Sequence, residues 1–361
     1  MTHTFWLFPL AYFAWNTGTL NANWLGLALI LGVTHLLSPL LLTYWLGPSG
    51  QKPLAQKKNL ILGTASILVS TFLLFFVGML QLYGTLPKWN SVGVDVFIWL
   101  GIIYFFWNTW HVCGQFFGIL SLYRIRAGMT SKVDILYDKW FCRFMLCFCV
   151  PASLLLRMKG RSVRPFAELD FFPKTISISA SWILVPTLIG LTAILLREFR
   201  KTEAFSWPRV SYILNIGLIP ILGLAISPMY FFFILDMNHW ISDISLSSKV
   251  ASSHYFENKK TGFSGQKFSG FFLFLTLFLF VGGTYWLLGC KLSGLRCSHV
   301  VYDIRVPVFG MSHAAQLSFL MGTHFGLSLL HFFLSARIYR LSEPLYGKNL
   351  QSLIFGEKTV P

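Results

Sequence analysis

Histidine is the residue type in this sequence whose placement could carry chemistry. The chain of 361 residues has nine histidines, and most of them fall inside long apolar stretches, where ionisable side chains are expensive to bury. Residues of this kind tend to line a cavity, pair with one another, bind a metal or mark a pathway. The histidines within apolar stretches are His35, His111, His239, His313, His324 and His331.

The last apolar stretch carries a stripe of histidines. Separations of 11 and 7 residues put His313, His324 and His331 within about 20° of one line on a helix. Gln316 broadens this stripe, so we expect one face of the helix to look into a bundle. The axial gaps of about 16 Å and about 10 Å are too long for two of these histidines to share one metal ion. A mononuclear site must therefore draw its ligands from several helices.

Two of the other histidines have polar neighbours at helical spacing. Asp236, His239 and Asp243 fall within about 60° of arc, so a carboxylate can orient the imidazole from either adjacent turn. The amides one turn to either side of His111 are Asn108 and Gln115. We interpret these four polar residues as groups that surround and orient ligating imidazoles, although a hydrogen-bonded packing cluster would use the same spacing.

The composition indicates the environment of these residues. Hydrophobic residues make up 55% of the chain and charged residues only 12%, where a soluble domain carries roughly 25% charged residues. The mean hydropathy is +0.63. The net charge of +16 comes from basic residues placed between apolar runs and not in one stripe, which favours topology signals and anionic lipid over nucleic acid. The expected partner is the lipid bilayer, with no nucleic acid.

The apolar runs predict an all-α, polytopic transmembrane helical bundle. Because a span needs about 20 mostly apolar residues, we count about nine spans, with eight to ten as the range. Residues 1–22 are either an interfacial segment or an additional short N-terminal helix, and residues 1–361 form a single integral membrane domain. The predicted spans are approximately residues 24–46, 59–82, 92–123, 140–156, 176–196, 210–226, 229–244, 268–288 and 312–338.

The loops predict an orientation. With nine spans and the N-terminus outside, one set of alternate loops holds 15 basic residues and the opposite set holds 9, which favours an N-out, C-in topology. We expect a bacterial inner (cytoplasmic) membrane. Segment 140–156 leaves two alternatives open, because it is short and basic at both ends and therefore either crosses the membrane or does not.

Several buried neutral imidazoles suit iron, copper or zinc. We expect the ligands to be His35, His111, His239 and one of His324 and His331. Iron with open coordination positions would activate dioxygen, and walls rich in Phe and Trp would hold a long apolar molecule. The sequence therefore predicts a non-haem iron oxidoreductase that acts on a lipid-soluble substrate, without assigning catalytic residues.

One family resembles this arrangement. A buried histidine on each of several helices, with His35 in Gly-Val-Thr-His and His111 in Tyr-Phe-Phe-Trp-Asn-Thr-Trp-His, resembles the bacteriorhodopsin-related Brp/Blh family of membrane carotenoid dioxygenases. The resemblance implies a helical bundle with a four-histidine non-haem iron that cleaves β-carotene to retinal. This chain departs from the family after its first histidine, where His35 is followed by Leu36-Leu37-Ser38.

Three other interpretations stay open. The histidines and aspartates could form a proton or ion pathway in a membrane subunit or transporter. A single b-type haem could be held by two axial histidines from facing helices. The histidines could also be hydrogen-bonding groups that join helices. Compact histidine boxes of the di-iron desaturases do not occur, because no two histidines fall within four residues of each other.

Overall fold

The computed structural model describes residues 30–40, 54–82, 92–129, 131–158, 180–201, 205–225, 228–258, 272–284 and 313–338. All regular structure in these ranges is helical, which confirms the all-α prediction. Residues 1–22, for which an interfacial segment or an additional short helix is expected, lie outside the described ranges. The helices are α1 (Ile30–Leu40), α2 (Leu54–Leu82), α3 (Val92–Arg126), α4 (Lys132–Cys142), α5 (Val150–Met158), α6 (Ser181–Phe199), α7 (Trp207–Ala225), α8 (Pro228–Asn258), α9 (Phe272–Thr284) and α10 (His313–Ile338).

A π-helical segment, Arg143–Cys149, joins α4 to α5 without a break. Its last hydrogen bond runs from the Val150 amide to the Met145 carbonyl, five residues back. Pro151 follows directly and has no N–H to donate, and its ring clashes with the carbonyl four residues earlier, so the wider π turn accommodates it. Residues 132–158 are consequently one helical rod on the order of 40 Å long.

The described chain divides into two compact units. The middle unit contains residues 105–239 and the outer unit contains residues 20–104 and 240–361, so that α3 and α8 contribute residues to both. Within the middle unit, α3 ends at a tight turn in which Gly128 has a φ of 73°, a conformation that glycine adopts without strain. The Ser131 side chain then caps α4 by accepting a hydrogen bond from the Asp134 amide at 3.1 Å.

The rod formed by α4, the π segment and α5 runs antiparallel to α3. Arg124, near the end of α3, lies 3.4 Å from Asp138 in α4, whereas Cys113, three turns earlier in α3, contacts Cys147 in the π segment through a thiol hydrogen bond. Residue numbers therefore fall along α3 as they rise along the rod. A turn of only a few residues, 127–131, makes this the expected pairing for neighbouring helices.

Helices α6 and α7 continue the antiparallel packing, because each runs opposite to the helix that precedes it in the chain. Asp134 at the start of the rod pairs with Arg197 at the end of α6, and Thr187 near the start of α6 hydrogen-bonds to Cys149 further along the rod. Helix α7 returns antiparallel to α6, with Gly217 packed against Leu191 and the first turn of α7 beside the end of α6. Between these helices lies a continuous apolar core that includes Phe116, Leu120, Met145, Leu146, Ile213, Ile216 and Ile219.

In the outer unit, two glycines of α10 allow this helix to approach α2 closely. A Cβ on Gly322 of α10 would lie 2.8 Å from the carbonyl oxygen of Phe72 in α2, and a Cβ on Gly326 would lie 3.1 Å from that of Leu68. The two glycines are four residues apart, the small-residue spacing that lets helix backbones meet. Because the partner numbers fall as the α10 numbers rise, α2 and α10 are antiparallel.

Helix α1 runs parallel to the second half of α8. The ring of Trp240 fills the space beside Gly32, where a Cβ would be 2.9 Å away, and Ser38 lies 3.4 Å from Ser247 between hydroxyl oxygens. On the other side of α1, a Cβ on Gly282 of α9 would lie 2.8 Å from the Cα of Thr34. The short α1 is thus packed between two helices.

Among the described helices, α6 and α7 are long and apolar enough to cross a membrane, and α1, residues 62–78 of α2, and α9 are shorter apolar helices. Large apolar side chains are exposed along α6, where Trp182 is 75% and Ile189 is 63% accessible. A comparable row lies on α3 at Phe106 and Trp110. Exposed rows of this kind are unusual on a soluble monomer and mark surfaces that contact lipid or protein.

Candidate metal centre

One pair of buried histidines comes from α3 and α8. His111 on α3 and His239 on α8 are 7% and 2% accessible, and their ring centroids are 5.3 Å apart in an edge-to-face arrangement. One turn earlier on both helices, the Asn108 amide hydrogen-bonds to the Asp236 carboxyl. The two contacts are successive rungs between α3 and α8, and since both numbers rise together, the two helices are parallel here.

A second pair of buried histidines comes from α1 and α10. His35 on α1 and His331 on α10 are almost completely buried, and their ring centroids are 3.9 Å apart. The Ser335 hydroxyl lies 3.3 Å from Nε2 of His331 one turn later on the same helix. The His35 ring also faces Trp240, with a centroid distance of 6.5 Å.

A carboxylate orients one ring of the second pair. Nδ1 of His35 lies 2.9 Å from an oxygen of Asp243, and the Ser38 hydroxyl donates to the same carboxylate oxygen at 3.0 Å. Asp243 is four residues after His239, so one face of α8 carries both a histidine of the first pair and the carboxylate that holds the second. Asp243 is buried to 2% accessibility, where a carboxylate needs such partners.

The four buried histidines form a single cluster. One ring nitrogen from each of His35, His111, His239 and His331 lies within 4.8 Å of all the others. Four imidazole nitrogens bound to one metal ion at about 2.1 Å would be separated by roughly 3 to 4 Å. The geometry therefore suits a mononuclear site after a small contraction, and each ligand comes from a different helix.

The chemistry of this donor set is that of neutral imidazole. Neutral imidazole is a common ligand of iron, copper and zinc, and no thiolate is present to select a softer ion. Four neutral ligands leave the full charge of a divalent ion uncompensated, apart from the Asp243 carboxylate behind His35.

The structure places the other predicted site residues outside this cluster. His324 is exposed on α10, with its ring 5.8 Å from that of Phe325. The prediction that the whole polar stripe of α10 faces inward is wrong at His324. Helical periodicity sets the direction in which a side chain points, but it does not determine whether another helix packs against that position. Gln115 is half-buried on α3. The side chains of His313 and Gln316 lie outside the described residues.

An ionic cluster in the middle unit was missed by sequence reasoning. Arg209 is 1% accessible and donates to both oxygens of Asp138, at 3.0 and 2.6 Å, and to both oxygens of Glu198, at 2.8 and 3.0 Å. Arg124 lies on the other side of Asp138. We call Arg124, Asp138, Glu198 and Arg209 the ionic cluster. In the sequence these residues looked like ordinary loop charges, because their pairing depends on which helix ends meet.

A third carboxylate, that of Asp134, lies at the edge of the ionic cluster. Asp134, which precedes the predicted span 140–156, pairs with Lys201 and Arg197. Burial favours the neutral form of Asp134, but hydrogen bonds from Lys201 and Ser131 outweigh it, and the net effect lowers the pKa of this carboxyl. Asp134 is therefore ionised at neutral pH and holds the ends of α6 and α4 together.

Comparisons with protein-family models, with curated proteins and with solved structures find no match. Over the described residues, the fold and the site define a class of protein: a helical protein with two membrane-length apolar helices and a buried cluster of four histidines that could hold a metal ion.

Proposed function

We propose that this chain is a polytopic membrane protein that binds one non-haem iron ion on His35, His111, His239 and His331 and oxidises a lipid-soluble substrate with dioxygen. The observation that carries the proposal is the convergence of four buried imidazoles from four helices to within 4.8 Å. Iron held by four neutral nitrogens keeps open coordination positions, and it is the chemistry at those positions that would activate dioxygen.

The protein's own contribution to such a site is orientation. Asp243 accepts a hydrogen bond from Nδ1 of His35, which fixes the tautomer and presents Nε2 as the ligand atom. Ser335 has the corresponding position beside Nε2 of His331, which would leave Nδ1 as the ligand atom of that ring. Two of the four ligands are thus held by side chains on the same or a neighbouring helix.

The Brp/Blh resemblance narrows the class of substrate that we propose. Its two motif stretches end in His35 and His111, and both residues belong to the four-histidine cluster. The number of ligands and their distribution, one on each of four helices, also agree with the arrangement that the resemblance implies. We therefore extend the proposal to a long apolar polyene of the carotenoid type as substrate.

A b-type haem fits the cluster less well. Two axial histidines place their nitrogens about 4 Å apart across the iron, with the macrocycle extending between the two rings. Four ring nitrogens within 4.8 Å of one another would put two imidazoles in the space that the macrocycle needs. The geometry favours one small ion.

The relative directions of the helices support nine alternating spans. Helices α3 and α8 are parallel at their Asn108–Asp236 and His111–His239 rungs, so an odd number of crossings must separate them. Helices α6 and α7 are two antiparallel helices of membrane length. Helices α6 and α7 supply two of the crossings between α3 and α8. The rod at residues 132–158 runs antiparallel to both α3 and α6 and supplies the remaining one, which makes three.

The placement of charged residues supports an N-out, C-in orientation. The ionic cluster, together with Asp134, Arg197 and Lys201, gathers at the end of the middle unit where α3 and α6 finish and where α4 and α7 begin. The N-out model assigns these helix ends to the cytoplasmic side, where basic residues accumulate. The bundle thus has one strongly charged end.

Metal analysis of purified protein with two histidine variants tests the site. Wild type is expected to hold about one iron per chain, and His331→Ala should lose it because one of four ligands is removed. His324→Ala is the matched control, since His324 lies on the same helix and outside the cluster. Thermal unfolding of both variants checks folding. Absence of stoichiometric metal from the wild type, or equal retention by the two variants, would contradict the proposal.

A further inference from the structure

We propose that a line of internal water molecules runs through the middle unit from the ionic cluster to His239 and provides a route for protons to the histidine cluster. The inference rests on the proposed metal site only for its destination. The observations that carry it are buried polar side chains that follow one another along α7 and cross to α8.

Helix α7 presents a row of polar side chains to the interior of the bundle. Arg209, Tyr212 and Asn215 are spaced three residues apart, so that each lies one turn beyond the last. All three are fully buried, with accessibilities of 1%, 1% and 0%. The residues between them on this helix, such as Val210 and Ile213, are similarly buried and apolar, so the row is a polar strip within an apolar core.

The row continues onto α8 beside the histidines. The Asn238 side-chain amide donates to the Asn215 side-chain oxygen at 3.2 Å, and Asn238 is itself fully buried. Asn238 directly precedes His239. The polar strip therefore leads from Arg209, in the ionic cluster, to the residue next to a histidine of the proposed site.

Three polar atoms along this strip have no hydrogen-bond partner among the described residues. They are Oη of Tyr212, Nδ2 of Asn215 and Oδ1 of Asn238. Buried donors and acceptors are rarely left unpaired, and where protein groups do not reach them the usual partner is ordered water. Arg209, Tyr212 and Asn215 follow one another at an axial rise of about 4.5 Å along α7, and one or two water molecules per turn would connect their polar groups.

The chemistry of the strip suits proton transfer. Asp138 and Glu198 at its charged end can receive a proton from the solvent at that side of the bundle, and Arg209 holds both carboxylates in place. The Tyr212 hydroxyl can donate and accept at once, so each proton that enters at the carboxylates is matched by one released beside His239. The two asparagines do not titrate and would orient the water molecules between these ends.

Hydroxyl-radical footprinting of the wild-type protein tests the water line, because radicals generated from water label side chains that contact internal water. Tyr212 is expected to be oxidised about tenfold faster than Phe278, an aromatic residue with the same burial of 1%, if ordered water lies beside it. Equal protection of the two rings would overturn the proposal, whether or not the protein contains iron.

A pair of variants tests the route. Asn215→Leu removes the central amide, and it should lower the labelling of Tyr212 toward the level of Phe278 and slow dioxygen consumption about tenfold while iron is retained. Ile216→Leu, at the neighbouring buried position, is the matched control and should change neither. Unchanged labelling in Asn215→Leu would refute the water line, whereas loss of the label with full turnover would refute its role in proton supply.

Discussion

Nδ1 of His35 and a carboxylate oxygen of Asp243 are 2.9 Å apart, and both side chains are at most 2% accessible. This contact joins the first described helix to α8 across 208 residues of sequence. The same carboxylate oxygen accepts the Ser38 hydroxyl, so Asp243 is held by two donors of α1. A buried carboxylate that fixes the orientation of a histidine is the usual support of a metal-binding imidazole.

Removal of this support is predicted to weaken iron binding. Asp243→Asn keeps an acceptor for Nδ1 and should lower the affinity about tenfold, whereas Asp243→Leu removes the acceptor and should lower it toward a hundredfold. Competition with a chelator measures both values. Asp236→Asn is the matched control, because Asp236 lies on the same helix but pairs with Asn108 and not with a histidine.

The relative losses of iron affinity in the three variants test whether Asp243 acts by orienting His35. An affinity loss that is as large in Asp236→Asn as in Asp243→Leu would assign the effect to α8 as a whole. An unchanged affinity in Asp243→Leu would contradict the orientation of His35 by this carboxylate. Circular dichroism of each variant establishes whether its helices remain intact.

Loss of Arg209 is predicted to destabilise the middle unit severely. Arg209→Met would leave Asp138 and Glu198 buried without their main counter-ion, which costs about 3–5 kcal/mol. Lys201→Met removes a cation from the more accessible Asp134 pair, and at such a position the expected loss is about 1 kcal/mol or less. Thermal unfolding in detergent measures the difference. Similar melting temperatures for the two variants would contradict the importance of the ionic cluster.

The crossing of segment 140–156 can be tested by labelling two single cysteines with a membrane-impermeant reagent. Lys132→Cys lies at the first residue of the rod and Lys174→Cys follows the rod in the sequence, so labelling from opposite sides of the membrane is expected if the rod crosses. Labelling of both from the same side would remove the third crossing between α3 and α8 and with it the nine-span model. A cysteine-free background provides the control for unspecific reaction.

Helical periodicity predicted much of the site because it fixes which side chains share a face. His239 and Asp243 lie on one face of α8 as their spacing requires, and His35, His111 and His239 each come from a separate apolar stretch, as expected for a site built from several helices. Whether these residues bind a metal stays a prediction, as do the iron, the substrate and the number of spans.

Helical periodicity does not predict contacts between segments that are distant in the sequence. His324 and His331 lie on the same line of α10, yet only His331 meets His35, because burial depends on which helix packs opposite. The two carboxylates that share Arg209 come from separate helices, and the sequence shows only scattered charges. The spacing of Asp236 and Asp243 around His239 suggested that either could orient that ring, whereas the contact of Asp243 with His35 joins two separate helices and was not predicted.

X-ray absorption at the iron edge of the purified protein tests the central claim most directly. Four imidazole ligands predict a first shell of nitrogen or oxygen at about 2.1 Å with the outer-shell scattering of several histidine rings, and His331→Ala should reduce that scattering while His324→Ala leaves it unchanged. A first shell without imidazole scattering, or a spectrum that His331→Ala does not alter, would contradict a metal centre on His35, His111, His239 and His331.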